Sequence, residues 1–248
     1  MRLNKSMWVT LFCLLLASLG WSQTGPDKVC EVNFTTPKPG SAKAFEQGRI
    51  NHNKFHAGEK DKNPIQLWSV LTGPGTGGYV TTVCGLTWKG LDGQEAFDKR
   101  DEADREKTMS ATVGANQASY YVFRPDWSTG TEGAPAKMIT VVHYFVKPGG
   151  IIQFQEAIKK ISAAITQGKY PAKPSRWYVL ANGGEGPHYV QVTDRAGWAD
   201  MQPPEKPLVD FLKESGDDKS IQSLRDAVDH TVSELLEYRA DLSYTPAK

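Results

Sequence analysis

Apolar positions along this chain alternate in short runs and recur at helical spacing in longer ones, and the two patterns take turns. Met138 to Val146 (MITVVHYFV) is dense in β-branched and aromatic residues and predicts a strand, which Pro148-Gly149-Gly150 ends. From Ile151 to Thr166 the apolar Phe154, Ile158, Ile161 and Ile165 fall on one helix face. Arg176 to Leu180 and Tyr189 to Thr193 predict two strands, joined by the turn Asn182 to His188 and close enough to form a hairpin. Ile221, Leu224, Val228 and Val232 predict a second helix over Ile221 to Ser233, and Leu235 to Tyr244 a last strand. The first half follows the same order. Val29 to Thr35 is a strand, Ser41 to about Gly58 a helix, Ile65 to Leu71 and Tyr79 to Cys84 a hairpin, Gln94 to Lys107 the start of a second helical region, and Ser119 to Trp127 a last strand.

The halves also match residue by residue. Pro39-Gly40, Phe45 and Trp68 return as Pro148-Gly149, Phe154 and Trp177, all 109 positions on. Tyr79-Val80 and Trp88 return as Tyr189-Val190 and Trp198, 110 positions on. A self-match at a fixed offset decides architecture before local detail does. The order β-α-β-β-α-β is the ferredoxin-like split unit, whose four-stranded antiparallel sheet carries both helices on one face. The bare face then needs cover, and Trp68, Val70, Val142 and Tyr178 give it large apolar residues. The fold expected is α+β: two tandem ferredoxin-like repeats forming a pseudo-dimeric α+β barrel. Residues 1–22 would be a leader, 23–128 repeat one, 129–137 a polar Gly/Pro linker and 138–248 repeat two.

The strand–Pro-Gly–helix opening, the tryptophan on the second strand, the Gly-rich hairpin turn and the tryptophan after the third strand together resemble the dimeric α+β-barrel superfamily. Within it they are similar to the NIPSNAP, EthD and antibiotic-biosynthesis-monooxygenase types. The resemblance spans roughly Val29 to Tyr244 and rests on turns and packing, not on a catalytic set. Members of that superfamily include cofactor-free monooxygenases, haem-handling enzymes and isomerases, usually as homodimers of single units. The resemblance implies that this chain holds such a dimer within itself and can be monomeric.

Charge and cysteine usage narrow the partners. Arg2 and Lys5 precede an uncharged apolar run from Met7 to Gly20, with small residues at Gly20 and Ser22. This is the pattern of a cleaved signal peptide and is short for a stable membrane span, so the protein is expected to be secreted or periplasmic. Cys13 lies inside the run, so no acylated terminus follows. Without the two basic leader residues, 27 Lys+Arg face 28 Asp+Glu. That balance excludes nucleic acid as a partner, because phosphate contacts need concentrated positive charge. Cys30 and Cys84 either pair across neighbouring strands or remain two buried thiols. Their counterparts Ile139 and Asp194 show that the fold does not require a bridge.

Few residues point to chemistry. Gly73 to Gly78 (GPGTGG) matches G-x-G-x-x-G as text, but a strand follows where a dinucleotide site needs a helix, so it is a hairpin turn. His52 and His56 stand i, i+4 on one helix face, and their counterparts Ile161 and Ile165 place that face toward a core or cavity. The pair could take a ligand or a haem; no third ligand is apparent from spacing, so no metal centre is expected. His143 shares a strand face with Ile139, Val141 and Phe145 and is the candidate general base or hydrogen-bond donor, weighed against a satisfied core histidine. Trp68, Trp177, Tyr79 and Tyr189 are candidate ligand-lining aromatics, although the repeated pairs Trp68/Trp177 and Trp88/Trp198 first suggest core packing. Arg124/Asp126 and Arg239/Asp241 suggest ion pairs, and Glu95 to Lys107 a solvated helix face. With no catalytic constellation, the leading expectation is a protein that binds a small apolar or aromatic molecule in a barrel cavity. The alternatives are a monooxygenase-like or haem-handling enzyme using the barrel histidines, and a protein-interaction module.

Overall fold

The computed structural model describes residues 27–247; residues 1–22, expected to form a leader and including Cys13, lie outside them. The first half contains β1 (Val29–Pro37), α1 (Ala42–Glu59), β2 (Gln66–Thr72), β3 (Tyr79–Leu86), the one-turn α2 (Trp88–Leu91), α3 (Glu95–Thr108) and β4 (Val113–Phe123). The second contains β5 (Met138–Val146), α4 (Ile151–Gln167), β6 (Ser175–Asn182), β7 (His188–Arg195), α5 (Leu208–Glu214), α6 (Asp218–Ala227) and β8 (Val228–Tyr238). Among the described residues no helix is long and apolar enough to cross a membrane.

Every ladder is antiparallel, and the strands close in the order β1-β3-β2-β8-β5-β7-β6-β4. Each half has the strand order of a ferredoxin-like unit, and the halves meet where β2 pairs with β8 and β4 with β6. Closure removes the unpaired edges that a lone unit would expose. Because side chains alternate across a strand, each strand sends one set inward and one toward the helices. Cys30, Trp68, Val80, Tyr121, Tyr178 and Leu236 meet in the lumen. Outside, Phe45 of α1 packs on Leu67 and Tyr79, and Phe154 of α4 on Trp177 and Tyr189.

Strand pairing defines equivalence more sharply than the sequence offset. Trp68 stands opposite Val80 on β3 and Tyr238 on β8. The residue opposite Val190 on β7 and Phe123 on β4 is Tyr178, not Trp177. Trp68 therefore corresponds to Tyr178, and Trp177 to Leu67. A one-residue slip moves a side chain to the other face, so Trp68 enters the lumen while Trp177 packs edge-on against Phe154 beneath α4. The extra residue of half two lies between α4 and β6.

Several sequence boundaries shift. The helix expected over Ile221 to Ser233 ends at Ala227, and Val228 to Ser233 opens β8. β-Branched Val228, Thr231 and Val232 suit a strand, and β8 supplies the partner that the outer half of β5 needs, from Val142↔Ser233 to Val146↔Val228. β4 starts at Val113 rather than Ser119 and stops at Phe123, where Pro125–Trp127 forms a 3-10 turn. α5 was not expected; its fully buried Leu212 packs on Ile161 and Ala164. Trp88 and Trp198 are not core residues: they are 37% and 65% exposed. The Arg–Asp pairs close locally, Arg124 on Asp126 at 3.1 and 2.9 Å and Arg239 on Asp241 at 2.9 and 2.7 Å. The GPGTGG segment is the β2–β3 hairpin turn. Gly73 (φ +97°) and Gly183 (φ +91°) hold equivalent places where the halves meet, and a Cβ there would strike Ser233 O and Ala118 O respectively.

Candidate functional site

The lumen keeps a cavity of about 140 Å³ with mostly apolar walls, among them Phe34, Trp68, Val80, Ile139 and Val190. Alternation along β5 aims His143 into it, beside Ile139 and Val141. His143 Nε2 lies 3.7 Å from Glu234 Oε2 on β8, and His143 Nδ1 lies 3.0 Å from His188 Nε2 on β7. All three side chains are buried. The Gly75 N–H of the hairpin turn donates to Glu234 Oε1 at 2.9 Å, so the Gly-rich turn holds a carboxylate and no phosphate. Burial pushes the Glu234 carboxyl up, but the His143 imidazole and the Gly75 N–H outweigh it and leave it below its ordinary value. Burial, with His143 second, pulls His188 down to about 4, so this ring is neutral near pH 7. A neutral His188 that donates from Nε2 to His143 Nδ1 leaves the His143 proton on Nε2, facing Glu234. One end of the lumen thus presents a donor and an acceptor 3.7 Å apart in an apolar wall.

The other end lies under the segment between the halves. Glu132, Gly133, Ala134 and Pro135 line the cavity there, with Arg176 and the Cys30–Cys84 disulfide (S–S 2.12 Å). Glu132 Oε1 sits 3.6 Å from Cys30 Sγ. Burial raises the Glu132 carboxyl against the opposing charges of Lys28 and Arg176. In half two, where the counterparts of the cysteines are Ile139 and Asp194, Asp194 takes a bidentate ion pair with Arg176 at 2.9 and 2.5 Å.

His52 and His56 lie in a second cavity, of about 510 Å³, between α1, α3 and the outer sheet face of half one. They are 1% and 4% exposed. His52 Nδ1 meets Asp104 Oδ2 at 2.8 Å, and His56 Nδ1 meets Asp61 Oδ2 at 3.0 Å. Their Nε2 atoms are 3.3 Å apart, and Asp101 Oδ1 is 3.2 Å from the first and 3.3 Å from the second. Burial, then the charge of His52, lowers His56. Arg49, one turn earlier on the same face, is 5% exposed and is pulled down to about 10 by burial.

The candidate residues therefore do not converge. His143 and Trp68 share the lumen; His52 and His56 share the cavity outside it. Trp177, Tyr79 and Tyr189 join neither as lumen residues. Trp177 packs beneath α4, Tyr79 Oη donates to Glu46 Oε1 at 2.8 Å, and Tyr189 Oη accepts from Gln155 Nε2 at 2.9 Å. These two bonds occupy equivalent places and tie each long helix to its sheet. Sequence reasoning missed Glu234, His188, Glu132, Asp61, Asp101 and Asp104. Asp101 and Asp104 sit in the charged run that looked solvated; their i, i+3 spacing with the i, i+4 histidines was the available signal.

No protein-family model and no curated protein matches the sequence. The fold has counterparts among solved structures. An anthrone oxidase-like protein aligns over 91% of this chain and 95% of its own, at TM-score 0.57 and 12% identity. A protein assigned as a monooxygenase from Lactobacillus acidophilus aligns over 89% and 97%, at 0.56 and 9%. A mutant chlorite dismutase from Candidatus Nitrospira defluvii aligns over 86% and 93%, at 0.50 and 8%. At these identities the likeness is one of fold: this chain is an α+β protein with the eight-stranded antiparallel, ferredoxin-like architecture of those proteins.

Proposed function

We propose that this protein binds a small, flat, apolar molecule carrying one hydroxyl, a monocyclic phenol in chemical class, inside the barrel lumen. The observation that carries this is the polar end of the lumen. A hydroxyl placed between His143 and Glu234 accepts from the Nε2–H and donates to Oε2, satisfying both groups where water is scarce. The size agrees: an engineered apolar cavity of roughly 150 Å³ takes benzene, and this one is about 140 Å³. The test is thermal denaturation with saturating phenol, benzene or tricyclic anthrone. Phenol is expected to raise Tm most and anthrone least, and His143→Phe, the residue half one carries at Phe34, should abolish the preference for phenol over benzene. No shift with any monocyclic aromatic sinks this reading.

The buried chain Glu234–His143–His188 favours one extension, an enzyme. The Glu234 carboxylate accepts the hydroxyl's hydrogen bond and makes the ring more electron-rich. The monooxygenase-type neighbours make dioxygen the oxidant to assay, by oxygen uptake, with phenol and dioxygen going to quinone and water. The haem-handling branch of the resemblance finds less support in these residues. The lumen is well below the roughly 300 Å³ at which drug-sized pockets begin. The two Nε2 atoms in the outer cavity point at one another and at Asp101, 3.2–3.3 Å apart, rather than across a flat slot. Haemin titration, read as a Soret band lost in a His52/His56 double alanine variant, is the check. The protein is proposed to act after export, as a monomer whose barrel is closed within one chain.

A further inference from the structure

The outer cavity of half one holds three ligand-type atoms in an arrangement that hydrogen bonding between neutral rings does not satisfy. Asp104 and Asp61 accept only, so His52 Nδ1 and His56 Nδ1, at 2.8 and 3.0 Å, must both donate. A neutral imidazole has one N–H. With both rings neutral, both Nε2 atoms are bare lone pairs, and they face each other at 3.3 Å. Asp101 Oδ1 completes the triangle at 3.2 and 3.3 Å, and with neutral rings this buried oxygen has no donor. Moving a proton onto either Nε2 strips an Nδ1 and leaves its lone pair against a carboxylate. Three electron pairs aimed at one point call for a cation between them, either a single shared proton or a metal ion.

The dimensions suit a four-coordinate ion with short bonds. Nitrogen and oxygen ligands about 2.0–2.1 Å from a tetrahedral zinc ion stand roughly 3.3 Å from one another. An octahedral ion with bonds of the same length would hold adjacent ligands at roughly 3.0 Å. The observed edges of 3.2, 3.3 and 3.3 Å are those of one tetrahedral face. We propose that His52 Nε2, His56 Nε2 and Asp101 Oδ1 bind a zinc-type divalent ion, with the fourth position open to the cavity of about 510 Å³. The outer shell is already in place. Each ligating histidine gives its other N–H to a carboxylate, the arrangement that fixes ring orientation at metal sites, and the Asn63 N–H holds Asp61 through its second oxygen at 2.9 Å. Arg49 and Arg105 both act electrostatically on Asp101 from within the same cavity. Three protein ligands and an open position describe a site that can hold a water or a substrate group. It is separate from the lumen, and its fate does not depend on the ligand proposed there.

The test is calorimetric titration of chelator-stripped full mature protein with Zn²⁺, followed by Co²⁺ spectroscopy. One ion per chain is expected, with the intense visible absorption of four-coordinate cobalt. Asp101→Asn and His56→Gln should each weaken binding by about 100-fold or more, the upper end of what losing an outer-shell partner costs. Asp98→Asn, on the same helix but outside the triangle, should bind as the parent does. Both test variants are near-isosteric, and far-UV circular dichroism verifies their fold. Absence of a stoichiometric site, equal binding by Asp101→Asn and His56→Gln, or a weak octahedral cobalt spectrum would each overturn the proposal.

Discussion

The two helix layers occupy equivalent places on one barrel and are built from opposite materials. Over half two, Phe154, Ile158, Trp127 and Trp177 fill the space beneath α4, and Leu212 of α5 seals Ile161. Over half one, the positions of Ile161 and Ile165 carry His52 and His56, α3 has no buried residue, and the sheet below offers Glu31, Asn33 and Thr35. The frame is shared down to the Tyr79–Glu46 and Tyr189–Gln155 bonds. Half one keeps a smaller core of Phe45, Leu67, Tyr79, Met109 and Leu242 beneath its helices and leaves the rest of that space to polar groups. Half two has the complementary division: its lumen position His143 replaces the Phe34 of half one.

The sharpest way to break this comparison is to empty each layer. Phe154→Ala should cost about 3–5 kcal/mol, the range for a fully buried aromatic, because Phe154 is 0% exposed in a filled layer. Phe45→Ala should cost clearly less, since Phe45 borders the existing cavity. Denaturant midpoints decide it, and equal costs would mean the layers do not differ as described. The disulfide is the next lever and belongs to half one alone. It closes a loop with a sequence separation of 54, for which its loss should cost about 2–4 kcal/mol. A Cys30→Ala/Cys84→Ala variant, compared by chemical denaturation, measures it.

Acid should act through the histidines lowered by burial, His188 of half two and His56 of half one, with the larger drop at His188. Unfolded His188 takes up a proton below about pH 6.5, whereas the folded ring does so only below about 4. Between those values the unfolded chain binds more protons, so stability falls as pH drops from 6.5 to 4 and this contribution then levels off, by at most about 3 kcal/mol. His188→Gln, which keeps a partner for His143 without titrating, should flatten that part of a pH–stability curve; an unchanged slope would assign it to other groups. The smallest effect is expected at Trp88 and Trp198, equivalent and exposed. Serine at either should change stability by no more than about 0.5 kcal/mol, which thermal unfolding can bound.

What was legible in the sequence follows from periodicity. The alternation of Met138 to Val146 and the helical stripe from Phe154 to Ile165 survive as β5 and α4, because each pattern matches the environment its element meets. Val228 to Ser233 carries both a helical stripe and β-branched residues, and only the unpaired edge of β5 decides between them. His52 and His56 were visible as an i, i+4 pair and His143 as a polar residue on an apolar face. Their partners were not, because Asp101 and Glu234 come from elements far along the chain.

By itself, then, the chain determined two βαββαβ halves, their closure face to face and the asymmetry at His52/Ile161, because local period and self-similarity are written in consecutive residues. Tertiary structure alone decided which tryptophan entered the lumen, since a one-residue register step reverses a strand's faces. It also decided which carboxylates of α3 met His52, since Asp104 lies 52 positions on and comes to 2.8 Å only once α3 packs beside α1.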